Sequence, residues 1–323
     1  MTNKEIYMRT IGFSLRRWLY DALAFIVLAV ACTVGFIITD KLTGNGLIGL
    51  CGVLVVGLIA LYIFLRYVAY TYKAGQIAMM TYGITKGEMP QDVIGEGKKI
   101  VKKRFATVAI FYAATRIIKG IFSELGRGIT RVGEMIGGNK GESVGNIISS
   151  VVQVIVAYLS DCCLGWVFYR SDENAAKATC EGAVLFFRHG KTFVKNMGRV
   201  FGMGLVSLVV IGGAFTGVFY VIASFFPQTF QVLANEFAEI AAQEGSEIPA
   251  LLTNPATLML ACAGVGGLAL WTILHNAFVR PLVLTGVLRN YLESGMNDVP
   301  TEASFAEVGK KSRKFAKLCG ELN

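Results

Sequence analysis

The sequence predicts an all-α, polytopic integral membrane protein with about six transmembrane helices, and three observations lead to that prediction. Of the 323 residues, 54% are hydrophobic and only 16% are charged, whereas soluble domains carry roughly a quarter charged residues. The mean hydropathy is +0.56. Apolar runs of about 20 residues, the length that crosses the hydrocarbon core as a helix, recur along the chain. A chain of this size has too little interior to bury so much apolar surface, so a bilayer is expected to cover the excess.

The N-terminal part predicts a helical hairpin over 18–70, within a single membrane domain over 1–323. Its two apolar runs are 18–39 and 47–70, and the glycines and asparagine between them suit a tight reversal. The next segment, 71–104, is polar and is expected to lie in the cytoplasm. It ends in a basic cluster next to the membrane, where anionic lipids attract cations. The predicted lipid-binding residues are Lys98, Lys99, Lys102, Lys103 and Arg104.

Residues 105–170 predict a marginal helix pair. The first run carries Arg116 and Lys119 in its second half, and the second run contains Asp161. A charged side chain inside a lipid-facing helix costs a few kcal/mol. Two topologies therefore stay open. Either both runs cross, giving six spans, or the first lies in the interface and the second is re-entrant, giving four full crossings.

The remaining chain predicts a basic amphipathic cytoplasmic helix at 171–199, a helix pair at 200–288 and a basic tail at 289–323. The pair is joined by the loop 227–254, which carries four glutamates and no Lys or Arg. Lys and Arg concentrate in the cytoplasmic segments of membrane proteins. We therefore expect both termini to be cytoplasmic, the acidic loop to be external, and the protein to lie in the plasma membrane.

Composition and motifs argue against several function classes. The seven cysteines and two histidines show no zinc-binding spacing, so neither a metal nor another cofactor is expected. The sequence contains no phosphate-binding loop, nucleophile elbow or zinc-protease motif, so an enzyme is not expected either. The net charge of +9 is distributed between apolar runs rather than along one face, which disfavours nucleic acid as a partner.

Polar residues inside predicted spans form the candidate site, because each needs a partner, water or a ligand. Trp271, His275 and roughly Arg280 share one helix face, and Pro281 frees a carbonyl one turn earlier. Interrupted helices of this kind build binding sites in transporters. The predicted substrate-binding residues are Asp161, Trp271, His275, Asn276 and Arg280. In the alternative interpretation, the residues after Trp271 mark the cytoplasmic interface where a long helix leaves the membrane.

Three segments in the last two-thirds of the chain carry a family resemblance. They are the apolar run 183–188, which ends in an arginine ahead of a span, and the exit segments 278–282 and 288–295 of the last span. In this order, with an outer loop between the spans, they resemble the membrane region of the choline transporter-like family. The resemblance implies a small-solute transporter. Arg280 stands where that family has an aspartate, and its larger members have more spans and a large extracellular loop.

Two function classes follow from these observations. The first is a small-solute transporter that uses the candidate substrate-binding residues. The second is a non-catalytic scaffold or complex subunit that binds anionic lipid or a partner protein through its basic segments. Such a subunit would oligomerise through glycine-lined helices, for which Gly198, Gly202, Gly213 and Gly217 have the required spacing. A polar cavity near the bilayer centre would favour the transporter.

Overall fold

The structure is a computed structural model that describes residues 1–43, 46–137, 141–244, 253–301, 303–310 and 312–320. Helices form nearly all of this described part and no strand occurs in it, so the predicted all-α class is confirmed. The α-helices in the described part are α1 (Asn3–Thr43), α2 (Gly46–Val68), α3 (Ala74–Lys86), α4 (Val93–Arg104), α5 (Val108–Gly137), α6 (Gly141–Tyr169), α7 (Ala175–Ser207), α8 (Gly213–Ser224), α9 (Pro227–Glu244), α10 (Pro255–Leu274), α11 (Arg280–Asn297), α12 (Ala303–Gly309) and α13 (Arg313–Gly320).

Three π-helical turns join consecutive helices without ending them. Ala69–Lys73 joins α2 to α3, Leu208–Gly212 joins α7 to α8, and His275–Val279 joins α10 to α11. Such turns insert one residue into the helical repeat and are frequent at functional positions. Because the first turn keeps the helix continuous, the predicted boundary between the hairpin and the cytoplasmic segment at residue 71 is not a helix end.

Four helices in the described part are long and apolar enough to cross a membrane: Asn3–Thr43, Cys51–Lys86, Gly202–Ser224 and Pro255–Asn297. The chain is therefore a multi-pass membrane protein. Four is also the number of full crossings in the alternative topology. A crossing by the marginal pair stays a prediction, since only the shorter stretch Gln153–Tyr169 of that pair forms an apolar helix.

Helix α5, which contains most of the first run of the marginal pair, has one buried and one exposed face. Phe111, Ile118 and Ile121 are buried, whereas Arg116 and Lys119 are exposed. This distribution is typical of an amphipathic helix that packs on one side only. It agrees with an interfacial position for this segment, with its cations available to headgroups.

The chain divides into two compact units, of which the first comprises Met1–Met197 and Pro281–Asn323. A buried cluster of Phe13, Val68, Tyr72 and Met79 forms part of the core of this unit. Helix α1 contributes its N-terminal part to the core, while most of its later apolar side chains are exposed, as a lipid-facing helix requires.

The second unit, Gly198–Arg280, contains the contact between α8 and α10. A Cβ atom at Gly267 would collide with Thr216 and with the backbone oxygen of Gly212, so the two helices approach closely there. The glycines predicted from spacing do not form this contact, since a Cβ at Gly213 or Gly217 would meet no atom within 4 Å. Helix α9 occupies much of the predicted acidic loop, and residues 245–252 of that loop lie outside the described residues.

Candidate functional site

Asp161 is in the first unit and is neutralised there by a lysine. Its side chain is buried, with 4% of the residue exposed, and its Oδ1 lies 2.7 Å from Lys73 Nζ. Lys73 is the last residue of the first π-helical turn. A buried carboxylate that pairs with an ammonium group needs no ligand to compensate its charge. The ion pair therefore connects α6 to the second long helix.

The other four predicted site residues belong to the second unit, where Trp271 and His275 meet Ser207. The Trp271 indole N–H donates to Ser207 Oγ at 3.1 Å, and Ser207 Oγ lies 2.9 Å from His275 Nδ1. The Ser207 hydroxyl also lies 2.8 Å from the Gly204 carbonyl. Its single proton goes either to that carbonyl or to His275 Nδ1, according to the tautomer of the histidine. We call Ser207, Trp271 and His275 the serine cluster.

The serine cluster lies near one end of the span that contains α8. From Ser207 to the end of α8 at Ser224 the helix runs for about 17 residues, or roughly 25 Å at 1.5 Å per residue. The hydrocarbon core is about 30 Å thick. In the topology predicted from the charge distribution, with the acidic loop outside, the cluster is close to the cytoplasmic boundary. Asn276 and Arg280, both half-buried, follow it at this level of the helix. Their position favours the interface interpretation over a cavity near the bilayer centre.

A cavity of about 570 Å³ lies in the first unit, where the ends of α3, α4 and α6 meet. Three cations line it: Lys86 at the end of α3, and Lys103 and Arg104 at the end of α4. No carboxylate occurs among the lining residues that the structure describes. The hydroxyl groups that line the cavity come from Thr81, Tyr82, Thr85, Tyr169 and Ser171. The apolar lining includes Ile100, Phe168 and Met296.

Arg104 connects α4 to the turn that follows α6. Its guanidinium donates to the backbone oxygen of Glu173 at 2.6 Å and to that of Arg170 at 3.1 Å. The Nε donor is buried and has no hydrogen-bond partner among the described residues. Burial lowers the pKa of Arg104, while the nearby Asp172 raises it; the group nevertheless stays charged at neutral pH. The cavity wall thus contains a fixed cation whose buried Nε is unused.

Buried Glu181 on α7 also binds the turn that follows α6. Its Oε2 accepts from Arg170 Nε at 3.1 Å and from Trp166 Nε1 at 3.0 Å. Arg170 also pairs with Glu173 at 3.1 Å. In the sequence, Glu181 is a carboxylate within an apolar helical stretch, which indicates a buried group that needs a partner. Its partner Trp166 lies on another helix, so spacing could not predict the contact. This network fixes the backbone that Arg104 contacts.

The last two cations of the predicted lipid-binding cluster line the cavity, whereas the first three do not. Lys98 Nζ lies 4.8 Å from the centroid of the Tyr72 ring. Lys99 pairs with Glu96 at 3.1 Å, and Lys102 is exposed on the same helix. The cluster is therefore not one surface. Lys86, which is distant in the sequence, completes the cationic lining instead.

Within the part of the chain that the structure describes, no three His, Cys, Asp or Glu side chains are grouped closely enough to hold a metal ion. Comparison with family models, curated proteins and solved structures finds no match for this chain. The cavity and the serine cluster must therefore be interpreted from their own chemistry.

Proposed function

We propose that this protein is a non-catalytic scaffold or subunit of the plasma membrane that binds the headgroup of an anionic lipid in the first-unit cavity. The observation that carries the proposal is the lining of this cavity, which combines three cations with several apolar side chains. A lipid with a phosphate group has the matching two-part chemistry. Its anionic oxygens accept from Lys and Arg, and its acyl chain contacts the apolar side chains.

The electrostatics of the cavity support an anionic ligand. Lys86 and Lys103 are exposed, and neither forms an ion pair in the described part of the chain. Arg104 uses two donors on backbone oxygens and keeps the buried Nε without a partner. The volume of about 570 Å³ falls in the usual range for small-molecule sites, roughly 300–1,000 Å³. That space fits a headgroup and the first part of an acyl chain.

Lipid binding is favoured over solute transport by the surroundings of the predicted transport residues. Asp161 is paired with Lys73, and Ser207 binds both Trp271 and His275 within the second unit. The charge of Asp161 and the Trp271 indole N–H are thus compensated by the protein. Arg280→Lys tests the transport alternative directly. We expect solute uptake, ligand binding and thermal stability to stay near those of the wild type, because either cation reaches headgroups at an interface. Loss of uptake or ligand binding at unchanged thermal stability would favour the transporter instead, because lysine cannot reproduce the planar fork of arginine.

The proposal is tested by titrating dioctanoyl phosphatidic acid into the detergent-purified protein and counting bound lipid by native mass spectrometry. The cavity variant is Lys86→Gln with Lys103→Gln. Each cation adds about 1 kcal/mol of attraction, so the double variant is expected to bind roughly 30-fold more weakly. The matched control is Lys99→Gln with Lys102→Gln, which removes the same charge from α4 outside the cavity. We expect the control to retain nearly all of the affinity.

Two further titrations identify the ligand chemistry. Dioctanoyl phosphatidylcholine has the same chains without the net negative charge and is expected to bind weakly. Inorganic phosphate has the charge without the chains. If phosphate alone binds as tightly as the lipid, the site recognises a free anion and the lipid proposal is wrong. If both double variants lose affinity equally, attraction to the whole basic surface explains binding and the cavity does not.

A further inference from the structure

Cys180 and Cys319 are two thiols that the proposed lipid site does not use. Cys180 is on α7 and Cys319 is on α13, 139 residues later, and their Sγ atoms lie 2.7 Å apart. Both belong to the first unit. A disulfide needs a sulfur separation of about 2.05 Å, so the two helices are already in register for a bond. Cys180 is completely buried, whereas Cys319 is partly exposed.

We propose that Cys180 and Cys319 form a redox-active pair, which a low-molecular-weight disulfide such as glutathione disulfide converts into an intramolecular disulfide. The pair is a modification site on the cytoplasmic side of the predicted topology. Thiols in the cytosol are kept reduced, so a disulfide there is regulatory rather than structural.

The exchange starts at Cys319, because only this sulfur is accessible. The thiol of Cys180 donates a hydrogen bond to Cys319, which lowers the pKa of Cys319 and raises that of Cys180. The Cys319 thiolate attacks one sulfur of glutathione disulfide, forming a mixed disulfide and releasing one glutathione thiolate. Cys180 then loses its proton and attacks the Cys319 sulfur, releasing the second glutathione. Two protein thiols are oxidised, one glutathione disulfide is reduced, and the two protons end on the glutathione products.

The other cysteines in the described part of the chain are less suited to this reaction. Cys32, Cys162 and Cys163 are buried, and the Cys163 thiol donates to the Thr179 carbonyl at 3.8 Å. Cys51 and Cys262 are exposed, but they lie on helices that are apolar enough to face lipid. Water-soluble glutathione disulfide therefore reaches Cys319 more readily than these five cysteines.

Oxidation would add a covalent attachment of α13 to its noncovalent contacts. In the reduced protein α13 is held by Phe315 and Leu318, which are buried, and by Glu124, which accepts from the Ser312 hydroxyl at 2.6 Å. Its cationic residues Arg313, Lys314 and Lys317 remain exposed. The disulfide would fix this basic helix against α7. In the protein with both thiols reduced, α13 can detach by local unfolding when its noncovalent contacts break.

The test treats the purified full-length protein with glutathione disulfide, blocks the remaining thiols with iodoacetamide and maps tryptic peptides under non-reducing conditions. We expect the loss of two alkylatable thiols per chain and a linked pair of peptides, 178–188 and 318–323. Trypsin should also cleave after Arg313 several-fold more slowly in the oxidised protein. Cys262→Ser is the matched control and is expected to give the same linked peptides.

The Cys180→Ser variant separates the two steps of the reaction. Without the resolving thiol, Cys319 is expected to stop at the mixed disulfide with glutathione, which mass spectrometry detects on peptide 318–323. Accumulation of that mixed disulfide in the wild type, with Cys180 still reduced, would overturn the proposal. So would a link from Cys319 to any other cysteine. Because the wild-type protein itself gives the deciding result, poor folding of a variant does not leave the question open.

Discussion

The ion pair between Lys73 and Asp161 places two opposite charges in the interior of the first unit. Neither charge is stable there alone, because transfer of an ion from water to a low-dielectric medium is costly. The Lys73 side chain keeps 26% of its surface exposed, whereas that of Asp161 keeps 5%. The lysine can thus be partly hydrated, but the aspartate depends on its partner.

Asp161→Asn is expected to destabilise the protein by about 2–3 kcal/mol. Breaking a fully buried ion pair costs roughly 3–5 kcal/mol, and the partial exposure of Lys73 reduces that penalty. The measurement is thermal denaturation of the purified variant in detergent. Lys73→Met combined with Asp161→Asn removes both charges and should recover most of the lost stability. A double variant that is no more stable than Asp161→Asn would show that the charge of Lys73 is not the cause.

Ser207 shows why the serine cluster was only half predicted. The spacing of Trp271 and His275 indicated a shared helix face, and the structure places their rings 5.2 Å apart. Ser207 is 64 residues before Trp271, and one serine in an apolar run has no distinguishing pattern. Its role depends on the pairing of two helices, which helical periodicity does not encode.

At the scale of elements, the crossing of α8 and α10 depends on one glycine. A side chain at Gly267 would collide with Thr216 and with the backbone of Gly212, which cannot move without separating the helices. Gly264 lies on the same helix, and a Cβ there would meet nothing within 4 Å. The two positions therefore form a natural pair of test and control.

Gly267→Ala is expected to cost about 1–3 kcal/mol, the usual penalty for overpacking. Gly264→Ala should leave stability unchanged or raise it by about 0.5–1 kcal/mol, because alanine favours the helix over glycine. Thermal denaturation of both variants in the same detergent checks the difference. Equal melting temperatures would contradict the close approach at Gly267.

Helical periodicity and run length predicted the existence of the long apolar helices well, because a bilayer imposes one length on every span. Element ends were predicted less well. Helix α1 begins at Asn3 rather than near Trp18, and α9 forms within the predicted loop. In both places the sequence is polar but compatible with a helix. The change in composition therefore indicates where the chain passes from lipid to water, and it does not indicate where a helix ends.

The cationic cavity was predictable only in part, for a related reason. Lys103 and Arg104 were visible as the end of a basic cluster, since neighbouring residues share a local pattern. Lys86 and Ser171 join them only because α3, α4 and α6 end at one place. Convergence of helix ends depends on tertiary packing, for which a single sequence carries no direct signal.

For the molecule as a whole, the charge distribution predicts that the basic tail is cytoplasmic and that the segment after α8 is external. Gln228 and Lys310 are both exposed and suit a labelling test. In a cysteine-free background, Gln228→Cys is expected to react with a membrane-impermeant maleimide in intact cells. Lys310→Cys should react only after the cells are permeabilised. The opposite labelling would invert the topology. Ser312 is a poorer probe because it is buried against Glu124.

The burial of Phe13 has a consequence for the order in which the chain is synthesised. The ring of Phe13 packs against Met79 and against the backbone at Gly97. Because both partners come later in the sequence, α1 leaves the ribosome well before they are synthesised. At about 5–20 residues per second, this delay lasts on the order of 4–17 seconds. Meanwhile the lipid-facing half of α1 can enter the membrane, but its N-terminal half exposes an apolar stripe to water. A nascent chain stalled before residue 97 is thus expected to recruit chaperones that a completed chain no longer binds.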